Sequence, residues 1–148
     1  MKLLSIAIPC YNSAAYMDNC IKSLLPGGDE VEILIVNDGS TKDNTAEIAD
    51  RYAAQYPTIC RAIHQENGGH GATILYGYRY ALKKGADYIF QTDSDGQTLP
   101  SEFDAFWNDT KTSHRNDVTT FVQNRAQEAH SYVTCFIKYK HQRHKGYR

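Results

Sequence analysis

The chain has 148 residues and a mass of 16.7 kDa, enough for one ordinary globular domain and short for two. Hydrophobic residues make up 41% and charged residues 22%, a balance that excludes a disordered polar chain and supports a packed core. A formal net charge of -1 excludes nucleic acid or an anionic membrane as the main partner of the whole chain, yet the charge is unevenly placed: residues 1–110 carry 8 basic and 15 acidic side chains, residues 111–148 carry 8 and 2.

No stretch approaches the roughly 18 apolar residues of a membrane span. The apolar run at residues 3–8 is β-rich and ends at Pro9 without a small-residue cleavage pattern, so it is read as a first strand and not as a secretory signal. Asn12 or Ser13 is placed to cap a helix through a side-chain oxygen. Tyr16, Met17, Cys20, Ile21, Leu24 and Leu25 then fall on one helical face, and Pro26, Gly27 and Gly28 end it. Residues 31–36 form a nearly continuous apolar run, the pattern of a strand buried on both faces of a parallel sheet.

Asp43 or Asn44 caps the next predicted helix, which turns Ala46, Ala49, Tyr52, Ala53 and Tyr56 inward and stops at Pro57. Residues 59–64 read as a third strand. Gly68, Gly69 and Gly71 precede a third helix with Ile74, Tyr78, Ala81 and Leu82 inward and Gly85 as its C-cap. Residues 88–92 are a fourth strand. This alternation predicts an α/β fold with an open, mainly parallel sheet and flanking helices. Past Trp107 the periodicity fades; residues 118–122 and 132–139 have strand composition without a place in the sheet. Cys10, Cys20, Cys60 and Cys135 are widely spaced without a C-x-x-C pair, which predicts free thiols in a reducing cytoplasm.

Ligands of open α/β sheets bind at the carboxyl ends of the strands, and all four predicted strands end in chemically loaded segments. Pro9, Cys10, Tyr11 and Asn12 follow the first. Asn37, Asp38, Gly39 and Ser40 follow the second, residues 66–71 the third, and Asp93, Ser94, Asp95 and Gly96 the fourth. Asp93 and Asp95, at i and i+2, share a direction in an extended segment and suit one divalent cation, which would neutralise a diphosphate; an Asp-Gly turn is the plainer alternative. Asp38 is either an acceptor for a base or ribose or a turn former. The glycines allow close backbone approach to an anion ahead of a helix, and His70 among them is a phosphate contact or an exposed spacer. His141 and His144 belong to a basic, solvated tail. Walker A, G-x-S-x-G and H-E-x-x-H patterns are missing from the sequence.

In order, the segments SIAIPCYN, VEILIVNDGSTKDNT, ENGGHGATILYG and DSDGQ strongly resemble the amino-terminal nucleotide-binding half of family 2 glycosyltransferases with the GT-A fold. The resemblance implies a metal-dependent transfer of sugar from a UDP- or GDP-linked donor, with Mg2+ or Mn2+, to a glycan, lipid or protein acceptor. It implies that Pro9, Tyr11 and Asn12 line the base pocket and that Asp38 binds base or ribose. Asn67 and Gly69 fall in the nucleotide-contacting loop, Asp93 lies toward ribose or metal, and Asp95 is the principal metal ligand. Ser13 and Leu75 stand where relatives often carry an acidic and a polar residue.

Residues 1–110 are thus expected to form the nucleotide-sugar-binding core and residues 111–148 a basic remnant of the acceptor half. Nothing in the chain matches the acidic motif that supplies the catalytic residue in such enzymes. Asp104, Asp109, Asp117 and Glu128 are available carboxylates, and no spacing selects one as the base. The sheet is therefore expected to be incomplete on its C-terminal side, as in a truncated or frame-altered product. A nucleotide-binding fragment without turnover is the alternative reading. Cytoplasmic location is expected, with peripheral association at the inner face of the membrane left open.

Overall fold

Two adjacent, fully buried strands form the centre of the molecule. The structure, a computed structural model, describes residue 2, residues 4–86 and 88–94, and the backbone of residues 136–138. Strand β1 (Leu4–Cys10) leads to helix α1 (Ala14–Leu24), a short 3-10 turn (Leu25–Glu30) and strand β2 (Val31–Asp38). Helix α2 (Thr45–Gln55), strand β3 (Cys60–Gln65), helix α3 (His70–Lys83) and strand β4 (Tyr88–Gln91) follow, and β5 (Phe136–Lys138) closes the order. The sheet order is β3-β2-β1-β4-β5; the first four strands are parallel, and β5 runs antiparallel to β4. The expected mainly parallel α/β architecture is the one observed. Of the strand-like run at 132–139, three residues join the sheet edge, with Phe90 opposite Phe136. Residues 118–122 lie outside the described residues.

Every residue of β1 and β2 is buried, as expected of parallel strands covered on both faces. Side-chain alternation divides them. Ile6, Ile8, Ile33 and Ile35 pack with Met17, Ile21 and Leu24 of α1 and Ile48, Ala49 and Tyr52 of α2. Leu34 turns the other way, into a smaller cluster with Ala81, Ala86 and Ile89 beneath α3. A fully buried Ile, Leu or Met side chain stabilises the fold by about 1.5–3 kcal/mol, so this two-sided packing holds the strand ends in place. Among the described residues, no helix is long and apolar enough to cross a membrane.

Three local expectations need correction. Pro9 lies within β1, where it pairs with Val36. The Ala7 carbonyl accepts from Thr92 N at 3.2 Å, so Pro9, two residues on, faces the same side, where β4 has already ended. Its missing N–H therefore costs no ladder bond. Neither Asn12 nor Ser13 caps α1 through its side chain. The Ala14 N–H donates instead to Asp43 Oδ2 at 2.9 Å, and Ser13 N to Thr45 Oγ1 at 2.8 Å. Asp43 Oδ1 also accepts from Thr45 N at 3.0 Å, so one carboxylate serves the starts of two helices, consistent with the preference of helix N-termini for negative charge. Burial would raise the Asp43 pKa, but bonds from the Thr45 hydroxyl, Ala14 N and Thr45 N outweigh it and hold it below the ordinary value. Tyr16, expected inward, is 52% exposed.

The inner face of α3 is also narrower than its large residues suggested: Thr73, Gly77 and Ala81 are its buried positions, at i, i+4 and i+8. A Cβ on Gly77 would lie 2.9 Å from the Ala7 Cβ, so this helix sits against β1 at a distance that only a glycine permits. Gly77→Val is expected to destabilise the chain by about 1–3 kcal/mol through overpacking against Ala7, which outweighs the small gain in helix propensity over glycine, read as a lower urea midpoint. An unchanged midpoint would mean that α3 does not approach β1 this closely.

Candidate nucleotide-sugar site

The four parallel strands open their carboxyl ends on one edge. Because the chain passes from β3 across β2 and β1 to reach β4, the strand order reverses between β1 and β4. That reversal is where ligands of open α/β sheets bind.

The segment after β1 is held in an unusual conformation. Asn12 has φ 48°, a left-handed backbone that Asn tolerates better than most residues. Its N–H donates to Ser40 Oγ at 2.9 Å, while its Oδ1 accepts from Thr41 N at 3.2 Å and Lys42 N at 3.1 Å. Tyr11 is 50% exposed beside it. The Pro9 carbonyl accepts from Ser94 Oγ at 3.3 Å, tying the end of β1 to the segment after β4. Cys10 is buried, and burial pushes its thiol up to about 12, against the opposing effect of the Ser94 hydroxyl. It packs in the core cluster with Met17 and Ile21, and burial of this kind makes a thiol inert.

Asp38 is the hub of the second and third segments. Its side chain is buried and organises the glycine loop: Oδ1 accepts from Gln65 Nε2 at 2.7 Å and Gly68 N at 2.8 Å, and Oδ2 from Gly69 N at 3.1 Å. The Asp38 carbonyl accepts from Asn67 Nδ2 at 3.2 Å. Burial works to raise the carboxyl pKa, but the Gly68 backbone, the Gln65 and Thr73 side chains and the Gly69 backbone together hold it below its ordinary value. Gly39 follows with φ +67°, and a Cβ there would lie 2.8 Å from Asn67 N; the two loops touch backbone to backbone. Gln65 and Thr73 were not singled out from the sequence. For Thr73 the available signal was its place in the small-residue series with Gly77 and Ala81.

Asp93 stands across the reversal point. Its Oδ1 accepts from Gln91 Nε2 at 2.8 Å and lies 3.7 Å from His70 Nε2, at the start of α3. His70 is exposed and turned toward this carboxylate, so the glycine loop and the β4 end face each other. The Asp93 side chain is partly exposed and offers hard oxygen donors of the kind Mg2+ and Mn2+ take. Asp95, its expected partner, lies outside the described residues, as do Asp104, Asp109, Asp117 and Glu128. Pro9, Tyr11, Asn12, Asp38, Asn67, Gly69 and Asp93 all fall in the loops and strand ends of this one edge.

Asp38→Asn would set an amide NH2 against N–H donors whichever way the amide is turned, so it is expected to cost about 1–3 kcal/mol at neutral pH. The sign with pH follows from the depressed carboxyl: its contribution is complete above the ordinary pKa and is lost as pH falls through the folded value. The gap in urea stability between wild type and Asp38→Asn should therefore narrow on acidification. A gap that is constant with pH would contradict a buried, hydrogen-bonded carboxylate.

The model of glycosyl transferase family 2 matches residues 5–145. The chain is 37% identical over 102 residues to YibD, an uncharacterized glycosyltransferase of Escherichia coli (strain K12), covering 68% of this chain and 28% of that protein. Among solved structures it is similar to S. aureus TarS 1-349, with 26% identity and a TM-score of 0.55 over 74% of this chain and 33% of that one. Its fold is also similar to that of mannosyltransferase PcManGT from Pyrobaculum calidifontis in complex with GDP-Man and Mn2+, with 23% identity and a TM-score of 0.51 over 63% of this chain and 27% of that one. The chain thus spans about a third or less of the length of these proteins. With the family pattern running through nearly all of its length, the chain belongs to glycosyl transferase family 2.

Proposed function

We propose that this edge binds a UDP- or GDP-linked sugar together with Mg2+ or Mn2+, and that the protein transfers the sugar to a glycan, lipid or protein acceptor. The observation that carries the reading is the convergence of four cross-bonded loops where the strand order reverses, with a left-handed Asn12 on one side and a partly exposed Asp93 on the other. Pro9, Tyr11 and Asn12 line the base pocket. Asp38 receives a base or ribose donor on Oδ2, the oxygen that holds the longest of its three bonds, the 3.1 Å one from Gly69. Asn67 and Gly69 border the nucleotide, while Asp93 and Asp95 hold the cation. Such a cation supplies charge stabilisation to the departing nucleoside diphosphate. The fold neighbour in complex with GDP-Man and Mn2+ supports the same chemistry as a proposal for this chain.

The alternative reading is nucleotide binding without turnover. Labelled nucleotide sugars offered with glycan, lipid and protein acceptors separate the two: transfer supports the enzyme, while donor binding with no product supports the binding module.

Donor binding has its own test. UDP or GDP should raise the melting temperature in the presence of Mg2+ or Mn2+ and not with a chelator, since a ligand at a hundredfold its Kd stabilises the native state by about 2.7 kcal/mol. Asp95→Ala should remove the metal-dependent part of that shift. A shift of equal size with chelator, or in Asp95→Ala, would take these carboxylates out of the site.

A further inference from the structure

A chain of hydrogen bonds leads from the outer surface of α2 to the base-pocket loop, and its direction can be worked out atom by atom. Asn37, buried at the end of β2, accepts the Ser40 N–H on Oδ1 at 3.1 Å. A backbone N–H can only donate, so the amide is fixed with Nδ2 turned the other way, toward His64 Nδ1 at 3.1 Å. His64 Nδ1 must then be the acceptor, which places the imidazole proton on Nε2. Nε2 lies 2.9 Å from Asp50 Oδ1, an acceptor suited to that proton. At the other end, Ser40 Oγ accepts the N–H of left-handed Asn12 at 2.9 Å. Asn37 and His64 are cross-strand partners in the β2–β3 register, so the link is built into the sheet.

We propose that His64 and Asp50 are positioning residues for the donor pocket: Asp50 selects the His64 tautomer, His64 orients the Asn37 amide, and Asn37 sets Ser40 and through it the Asn12 backbone. This rests on the donor-site reading above. The energetic weight is divided unevenly. Asp50 and His64 are 65% and 41% exposed at the side chain, so their pair contributes little to global stability. Asn37 is buried, and an amide left to turn there would lose its bond to either Ser40 or His64. The outer pair therefore acts on orientation more than on stability, in the manner of outer-layer groups that fix the ring nitrogen of a functional histidine.

The test uses the full chain and nitrogen NMR of the imidazole at mildly alkaline pH, alongside titration with UDP and GDP in Mn2+ or Mg2+. Wild type should show His64 protonated at Nε2. Asp50→Ala should mix the tautomers, shift the Ser40 and Asn12 amide resonances, and weaken nucleotide binding about three- to tenfold, with the melting temperature nearly unchanged. Asp50→Asn, which keeps an acceptor oxygen, should restore both the resonances and the affinity. In a His64→Ala background, Asp50→Ala should add no further loss. A wild-type His64 protonated at Nδ1, or Ser40 and Asn12 resonances unmoved in Asp50→Ala, would overturn the proposal. If wild type binds neither nucleotide, the donor reading fails, while the tautomer and the two amide resonances still decide whether the relay exists.

Discussion

Parallel strands deliver all their carboxyl ends to one edge, and the polar backbone gathered there has to be satisfied by something other than the ladder. In this chain each loop supplies acceptors to its neighbour. Asp43 and Thr45 receive the first N–H groups around α1, Ser40 Oγ accepts from Asn12 N while Asn12 Oδ1 accepts from Thr41 N and Lys42 N across the β1 and β2 ends, and Asp38 holds Gly68 and Gly69. Ser94 reaches back to the Pro9 carbonyl. The site is therefore a set of loops fastened to one another, above a sheet whose central strands are packed on both faces.

This arrangement separates groups that shape the pocket from groups exposed to a ligand. Asn37 is buried and committed to internal partners, and Asp38 is buried with two bonds on Oδ1 and a single longer one on Oδ2, whereas Tyr11, His70 and Asp93 present exposed surface at the same edge. Glu32 follows the former pattern deeper in the sheet, accepting from Ser5 Oγ at 3.1 Å beside Arg61. Asp38 and Asp43 organise backbone, Glu32 engages side chains, and the partly exposed Asp93 at the β4 end is the better placed to meet a cation.

The strands were legible because two long apolar runs, residues 3–8 and 31–36, have no other stable place than the middle of a parallel sheet. The positions of the loops at the strand ends were equally legible, since the Asn-Asp-Gly-Ser turn and the glycine cluster are local patterns; the second carboxylate of the D-x-D, Asp95, lies outside the described residues. What escaped the reading was non-local. Pro9 looked like a strand terminator because its tolerance depends on β4 stopping short beside it. The α1 start looked self-capped because its acceptor, Asp43, is 29 residues away from Ala14. Gln65 and Thr73 acquire meaning only once β2, β3 and α3 converge on Asp38. The narrow face of α3 reversed the usual weighting, because the close approach to β1 favours Gly77 over larger neighbours.

The central claim is that metal and nucleotide meet at the reversal between β1 and β4. Paramagnetic broadening by Mn2+, recorded on the amide spectrum in the presence of UDP or GDP, tests it most directly. The account predicts loss of signal first at Asp93, Ser94 and His70, then at Tyr11 and Asn12, with α2 and the far ends of the strands unaffected. Broadening centred on acidic residues away from this edge, such as Asp18 or Asp29 and Glu30, would contradict it.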